Sequence, residues 1–189
     1  MTDYHLEQMY SHEQVQARTK ELASEIYNDL TSLNLTVVIL TLGGIGFGAE
    51  IFDYLSDYPE LEAEIRLESM GIRSRKGTSR SEEPEIFQPL KEPSISICKQ
   101  HILLADDIRH SGTTLERTAI PEVESYGPAS LSVVTLLKAS NLPPLIISGK
   151  EYSGFLIDKD DYVIGEYLDL DGLRRGKKGI HKVIFERDN

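Results

Sequence analysis

The sequence predicts an α/β fold with a mostly parallel sheet, and two observations support that prediction. Short apolar runs rich in β-branched residues, which suit buried strands, alternate along the chain with stretches of helical periodicity. Polar and glycine-rich clusters follow directly after several of these runs. Because ligands of such folds bind beyond the carboxyl ends of the strands, these clusters are the candidate functional segments.

The first elements in order are a helix, a strand and a second helix. A capping-box pattern followed by apolar residues at helical intervals predicts an amphipathic helix over residues 12–32. Residues 36–42 (TVVILTL) predict a buried strand. A glycine-rich turn over residues 43–48 then leads into a helix predicted over residues 49–58.

The same order of elements returns further along the chain. Residues 100–105 (QHILLA) predict a strand that ends at two acids. A helix is predicted from Leu115, and Pro121 is expected to kink it or end it. Two further strands are predicted over residues 131–137 and 162–168.

The composition restricts the class of protein. The 189 residues carry a net charge of −11 at pH 7, which disfavours general nucleic-acid binding and attachment to an anionic membrane surface. The single cysteine, Cys98, cannot form an internal disulfide, and the first residues show no signal-peptide pattern. We therefore expect one cytoplasmic domain over residues 1–189, without nucleic-acid or membrane partners.

The charge is unevenly distributed. Residues 65–80 hold five cations against one acid, and residues 172–189 hold six cations against two acids. These basic segments either offset an acidic body or hold a small anion, and charge alone does not decide between the two interpretations. Residues 71–83 lack hydrophobic periodicity and are predicted to form a mobile loop.

Residues 102–114 (ILLADDIRHSGTT) carry the most specific chemistry. Asp106 and Asp107 follow a predicted strand and could accept hydrogen bonds from the vicinal hydroxyls of a ribose. The alternative is that Asp107 only caps a helix and Gly112 only turns the chain. A phosphate cradle is predicted from backbone N–H groups around Gly112 and the hydroxyls of Ser111, Thr113 and Thr114.

This segment resembles the phosphoribosyl-pyrophosphate signature of type I phosphoribosyltransferases. The resemblance to the hypoxanthine-guanine branch extends to residues 18–22, 42–44, 137–138 and 162–175, in the same order along most of the chain. It implies a mostly parallel core sheet flanked by helices, with a small hood built from the N-terminal and C-terminal segments. It also implies Mg²⁺-dependent transfer of 5-phosphoribosyl from phosphoribosyl pyrophosphate to a purine-like base, in a homodimer or homotetramer.

The resemblance implies roles for individual residues on the sugar-phosphate side. Asp106 and Asp107 would hold the ribose hydroxyls, and residues 110–114 would bind the 5′-phosphate. The residues that would contact pyrophosphate are Gly43, Gly44 and Arg175.

On the base side, the resemblance implies that Lys138 donates to the O6/N7 edge of a purine. Tyr162 would stack on the base, and Val163 would present backbone groups to its exocyclic edge. Asp169 would help to bind Mg²⁺ together with Asp106.

Three positions depart from the family pattern. His110 stands where purine relatives usually carry an Asp, and a neutral imidazole could still accept a proton near pH 7. Leu42, beside which a strained or cis peptide is expected, stands where a Lys is common. Met70 follows Ser69 where a Tyr is common in a flexible loop, which is expected to close over the site. The predicted catalytic residues are His110, Asp107 and Lys138.

Two other functions remain open at this point. Residues 44–49 match the dinucleotide-binding pattern G-x-G-x-x-A after a predicted strand, with Glu64 or Glu68 about 20 residues further on. That pattern leaves residues 102–114 unexplained. The three departures also allow a non-catalytic protein that keeps the sugar-phosphate site for sensing.

Overall fold

A six-stranded sheet forms the core of the protein. The computed structural model describes residues 4–30, 34–62, 65–76, 79–90, 97–170 and 172–186. The strands of this sheet are β2 (Leu35–Thr41), β3 (Arg66–Lys76), β4 (Ser79–Gln88), β5 (His101–Arg109), β6 (Ser130–Ala139) and β7 (Glu151–Ile157). They are arranged in the order β4-β3-β2-β5-β6-β7, and every neighbouring pair is parallel except β3 with β4. The predicted mostly parallel α/β sheet is confirmed.

Helices cover the two faces of this sheet. They are α1 (His12–Leu30), α2 (Ile45–Ser56) and α3 (Pro59–Glu62), then a π-helical turn (Leu115–Ala119) that leads into α4 (Ile120–Ser125). Val37 and Ile39 of β2 pack in the cluster with α1 and α2, whereas Val38 and Leu40 pack with the π-helical turn and α4. Burial on both faces explains why this strand is a continuous apolar run. Among the described helices, none is long and apolar enough to cross a membrane.

A second, smaller sheet forms a hood from the two ends of the described chain. Its strands are β1 (Tyr4–Tyr10), β8 (Val163–Ile164) and β9 (Ile180–Phe185). They lie in the order β1-β9-β8, and both pairs are antiparallel. The register places Tyr4 opposite Phe185, so residues far apart in sequence close this sheet.

The mobile loop predicted over residues 71–83 is wrong for the described residues of that segment. Residues 71–76 belong to β3 and residues 79–83 to β4, which pair in antiparallel register. Met70 is fully buried within β3 beside Leu40 of β2, so it is part of the core. Hydrophobic periodicity missed these strands because their side chains are mostly polar, and the pairing of β3 with β2 and of β4 with β3 holds them in the sheet.

The strand predicted over residues 162–168 is shorter than expected. Only Val163 and Ile164 form β8, and the next three residues have positive φ angles of 103°, 47° and 74°. The backbone N–H of Glu166 donates to the carbonyl oxygen of Lys177, and that of Tyr167 to Arg175. The chain therefore folds into a compact turn, which places the residues after β8 against the core sheet.

The helix predicted from Leu115 begins at that residue but changes its hydrogen-bonding pattern. The π-helical turn ends at Ala119, and Pro121 lies at the start of α4. Proline has no N–H to donate to a carbonyl in the preceding turn, which explains an irregularity at this place.

Strand β7 lies at one edge of the core sheet, and Arg18 of α1 contacts its backbone. The Arg18 guanidinium donates to the carbonyl oxygens of Ser153 and Gly154, at 3.2 and 3.1 Å. Glu21 and Glu25 accept hydrogen bonds from the same guanidinium. Sequence periodicity did not predict β7, because its burial follows no simple alternation.

Candidate active site

A cavity of about 840 Å³ lies between the carboxyl ends of the core strands and the hood. Its core side comes from residues 41–43 at the end of β2 and from residues 106–115, which run from the last residues of β5 to the start of the π-helical turn. The hood side comes mainly from residues 159–163 and 168–170. Parallel sheets bind ligands at this end, so the cavity lies where the fold class predicts a site.

Most of the predicted site residues line this cavity. Those that do are Gly43, Asp106, Asp107, His110, Ser111, Gly112, Thr113, Thr114, Tyr162, Val163, Asp169 and Arg175. Gly44 and Lys138 lie outside the lining residues. Of the two basic segments, Arg73 and Arg175 reach the cavity. Four further basic residues of these segments, at positions 75, 76, 80 and 187, have side chains outside the part of the chain that the structure describes.

Asp106 and Asp107 form an acidic pair on the core side. Asp106 is buried, Asp107 is partly buried, and the backbone N–H of Asp107 donates to Asp106 Oδ1 at 3.0 Å. Burial and then the neighbouring Asp107 charge raise the pKa of Asp106 well above its usual range. Burial also raises the pKa of Asp107, although Arg175 and backbone hydrogen bonds act in the opposite direction. Such a pair suits hydroxyl donors or a cation brought by a ligand.

Gly43 leaves room for this pair. A Cβ on Gly43 would overlap the carboxylate of Asp107, so no other residue fits here without moving the acid. The peptide bond between Thr41 and Leu42 is cis, in agreement with the expectation for this turn. The backbone of this turn therefore lies directly beside the acidic pair.

The Ser-Gly-Thr-Thr loop continues the core wall. Gly112 has a φ of 78°, in the left-handed region that favours glycine. Ser111 Oγ lies 3.1 Å from Thr113 Oγ1, and the backbone N–H of Glu116 donates to the carbonyl oxygen of Gly112. The loop therefore presents hydroxyls and backbone groups to the cavity, as a binding site for an oxyanion requires.

Asp169 and Arg175 form an ion pair at the hood wall. Arg175 Nη2 donates to Asp169 Oδ1 and Nη1 to the carbonyl oxygen of Tyr167, both at 2.6 Å. The backbone N–H of Gly172 donates to the other Asp169 oxygen. Asp169 therefore orients a guanidinium that lines the cavity.

Lys138, expected at the base edge, points elsewhere. Its Nζ lies 2.9 Å from Oε2 of Glu151, which also accepts a hydrogen bond from the backbone N–H of Leu145. Burial would raise the pKa of Glu151, but bonds from Lys138 and Leu145 and the charge of Arg109 lower it overall. A buried carboxylate of this kind attracts the ammonium and holds it outside the cavity.

Sequence reasoning missed Arg109, which lines the cavity although its side chain is only 1% exposed. Its Nη1 donates to the carbonyl oxygen of Pro143 at 2.7 Å and to Glu151 Oε1 at 2.8 Å. Its Nε and Nη2 both donate to Glu116 Oε1. The sequence did contain a signal for Arg109, because a cation at the end of an apolar strand, three residues before Gly112, is unusual. Other lining residues that were missed are Ile72, Phe87, Ile108, Lys159, Leu168, Leu170 and Phe185.

The glycines of the dinucleotide pattern serve packing in this structure. A Cβ on Gly46 would overlap the ring of Tyr167, and one on Gly48 would press on the side chain of Ile39. These glycines let α2 approach its neighbours closely. The pattern is therefore explained without a dinucleotide.

The parallel sheet, the acidic pair, the Ser-Gly-Thr-Thr loop and the hood together define a type I phosphoribosyltransferase. The chain belongs to the phosphoribosyl transferase domain family, whose model matches residues 5–171. It is 29% identical to a hypoxanthine phosphoribosyltransferase of Haemophilus influenzae over 98% of this chain and 99% of that protein. It is 32% identical to a hypoxanthine-guanine phosphoribosyltransferase of Mycobacterium bovis, over 84% of this chain and 76% of that protein.

A solved structure shares the fold. A hypoxanthine phosphoribosyltransferase of Staphylococcus aureus superposes with a TM-score of 0.78 at 25% identity. The superposition covers 94% of this chain and 91% of that one. The chain is a phosphoribosyltransferase, and the dinucleotide alternative is wrong.

Proposed function

We propose that the protein transfers the 5-phosphoribosyl group from phosphoribosyl pyrophosphate to a ring nitrogen of hypoxanthine or guanine. The products are a nucleoside 5′-monophosphate and pyrophosphate. One observation carries this proposal. The acidic pair and the Ser-Gly-Thr-Thr loop face the hood residues Tyr162 and Val163 across one cavity. Relatives that match nearly the whole chain are named for hypoxanthine.

The core side of the cavity supports a sugar-phosphate site. The carboxylates of Asp106 and Asp107 would accept hydrogen bonds from the two ribose hydroxyls, which offset the burial of those charges. The 5′-phosphate would lie in the loop of residues 110–114. Gly43, Gly44 and Arg175 would contact the pyrophosphate, two through backbone N–H groups and one through a guanidinium.

The donor set fits Mg²⁺ bound together with substrate. The described residues contain no cluster of three or more acids, histidines or cysteines that could hold a metal ion alone. Mg²⁺ is usually bound through one or two carboxylates plus substrate phosphates, and Asp106 and Asp169 both line the cavity. When bound, Mg²⁺ would offset negative charge on the departing pyrophosphate.

The hood side supports a base site. The ring of Tyr162 suits a planar heterocycle, and the buried Val163 would present backbone groups to its edge. Lys138 would have to leave Glu151 before its ammonium could donate to the O6/N7 edge. The His110 imidazole would accept the proton that the base loses.

The reaction needs little covalent participation by the protein. The bond from C1′ to pyrophosphate breaks with its electron pair on the leaving oxygen, and a base nitrogen supplies the new bond to C1′. The protein must align the two reactants and exclude water from an oxocarbenium-like carbon.

A product assay tests the proposal directly. Purified protein is incubated with Mg²⁺, phosphoribosyl pyrophosphate and one of hypoxanthine, guanine, xanthine or adenine, and nucleotides are quantified chromatographically. We expect a monophosphate from hypoxanthine or guanine, and none when Mg²⁺ is chelated. Tight binding of phosphoribosyl pyrophosphate without any nucleotide product would contradict the proposal and indicate a sensor. Light scattering tests the accompanying proposal of a homodimer or homotetramer. A single cooperative unfolding transition would support the proposal of one domain over residues 1–189.

A further inference from the structure

A cluster of four charged side chains lies behind the Ser-Gly-Thr-Thr loop, and among them only Lys138 has been given a role so far. Arg109 and Lys138 are its cations, and Glu116 and Glu151 are its acids. The cluster is neutral as a whole. Arg109 joins the two acids, because its guanidinium contacts both.

The two edges of the Arg109 guanidinium differ in how firmly they are held. Nη1 donates to the carbonyl oxygen of Pro143 and to Glu151, whose side chain is 10% exposed. The Nε and Nη2 edge donates only to Glu116 in the described contacts, and the Glu116 side chain is 44% exposed. One edge is therefore anchored in the protein, and the other holds a carboxylate that can move into solvent.

Glu116 also lies against the loop that would receive the phosphate. A Cβ on Gly112 would overlap Glu116 Oε1, the same oxygen that accepts both bonds from Arg109. A phosphate in this loop would approach the Glu116 carboxylate and be repelled by it. The Nε and Nη2 edge of an arginine binds phosphate with the same paired geometry as a carboxylate.

We propose that Glu116 is a displaceable internal counter-ion at the 5′-phosphate site and that Arg109 is a phosphate-binding residue. A sugar phosphate takes the place of the Glu116 carboxylate on the Nε and Nη2 edge of Arg109. Departure of Glu116 leaves the remaining cluster with one net positive charge, which attracts the phosphate. Glu116 thus sets how tightly phosphorylated sugars bind. This inference rests on the proposed function, because it assumes a phosphate in the 110–114 loop.

Calorimetric titration with ribose 5-phosphate tests the inference in three proteins. Glu116→Gln keeps the size of the side chain and removes its charge, so we expect the Kd to fall about fivefold relative to wild type. Glu124→Gln is the matched control, because Glu124 is exposed on α4 and the net charge changes equally. Its Kd should stay within twofold of the wild-type value.

An Arg109→Lys background shows whether Arg109 mediates the effect. Lysine keeps the charge and loses the paired edge, so the Kd should rise about tenfold, with folding checked by circular dichroism. In that background, Glu116→Gln should change the Kd by less than twofold. An unchanged or higher Kd in Glu116→Gln alone overturns the inference, as does the same fivefold fall in both backgrounds. Wild-type protein that forms nucleotide in the product assay but binds no ribose 5-phosphate overturns the inference alone, whereas wild-type protein that does neither overturns the proposed function as well.

Discussion

The buried Asp106 carboxylate shows at the scale of a single residue how the site conflicts with stability. Its pKa is raised by burial and by Asp107, which means that the folded protein resists its ionisation. Binding of ligand hydroxyls or of a cation nevertheless requires a carboxylate at this position. Removing its charge should therefore help folding and harm binding.

We predict that Asp106→Asn increases the free energy of unfolding without ligand at pH 7 by about 0.5–2 kcal/mol. The amide oxygen can still accept the hydrogen bond from the Asp107 N–H, so local geometry is kept. Urea unfolding measures the gain, and calorimetry should show weaker binding of phosphoribosyl pyrophosphate. Asp53→Asn, at an exposed position of α2, should shift stability by no more than about 0.5 kcal/mol.

His110 gives a second prediction at this scale. If its imidazole accepts the proton of the base, kcat/KM should fall at acidic pH, because a protonated imidazole has no free nitrogen to accept that proton. His110→Ala should lower the rate about a hundredfold and should abolish the fall of kcat/KM at acidic pH. In His110→Asp, kcat/KM should still fall at acidic pH, but at a lower pH, because a carboxyl group has a lower pKa than an imidazole. An unaltered profile in His110→Ala would exclude this role.

Most of the residues that local motifs predicted do line the cavity, because strand ends and turns are recognised from residues adjacent in sequence. The position of Lys138 was not predictable in this way. Its partner Glu151 lies 13 residues later on another strand, and only their packing shows that the ammonium is held away from the cavity. Arg109 was missed for the same reason, because its partners lie on three separate segments.

Elements differ in how well the sequence predicts them. The strand over residues 36–42 was predicted within one residue at each end, because burial on both faces leaves a continuous apolar run. The pair β3 and β4 was missed, since pairing to β2 and to each other stabilises them more than their own side chains do. A turn replaces most of the strand predicted over 162–168, because positive φ angles at Glu166 and Tyr167 are not apparent from residue type.

Strand β7 carries a prediction on pH dependence through Glu151. The pKa of this acid is lowered in the folded protein, so its contribution is present above the unfolded pKa and is lost as the pH falls through the folded value. Glu151→Gln should lose about 3 kcal/mol of unfolding free energy at pH 7, because two buried cations lose their shared partner. The difference between wild type and variant should shrink below about pH 4. Urea unfolding of both proteins between pH 3 and 7 measures the loss at pH 7 and its decrease at low pH. A difference in unfolding free energy that does not change with pH would contradict this account.

At the scale of the whole molecule, the Glu166 side chain links the hood to the first helix of the core. Glu166 Oε1 lies 2.8 Å from His12 Nδ1 at the start of α1 and accepts a hydrogen bond from the backbone N–H of Gly179. Burial raises the pKa of the neighbouring Glu50, and the Glu166 charge adds to that effect. The hood carries Tyr162 and Val163, so its position against the core determines the width of the cavity.

We predict that Glu166→Ala lowers the free energy of unfolding by about 1–3 kcal/mol, because a buried N–H loses its acceptor. The KM for the base should rise severalfold, while the Kd of phosphoribosyl pyrophosphate changes less, since the sugar-phosphate residues lie mostly on the core. Glu186→Ala is a suitable control. Glu186 is exposed on the hood, and its carboxylate lies 4.0 Å from the exposed His5 imidazole, which is too far for a hydrogen bond. Equal effects of the two substitutions would show that Glu166 does not position the hood.

The Arg18 contact with β7 bears on how copies of this chain can meet. An edge strand with open carbonyl groups is a template on which a second chain can add its own strand, and uncontrolled addition of this kind leads to aggregation. Here a guanidinium fixed by two glutamates already occupies the Ser153 and Gly154 carbonyl oxygens. A second chain that added a strand at this edge would first have to displace Arg18 from these two carbonyl oxygens.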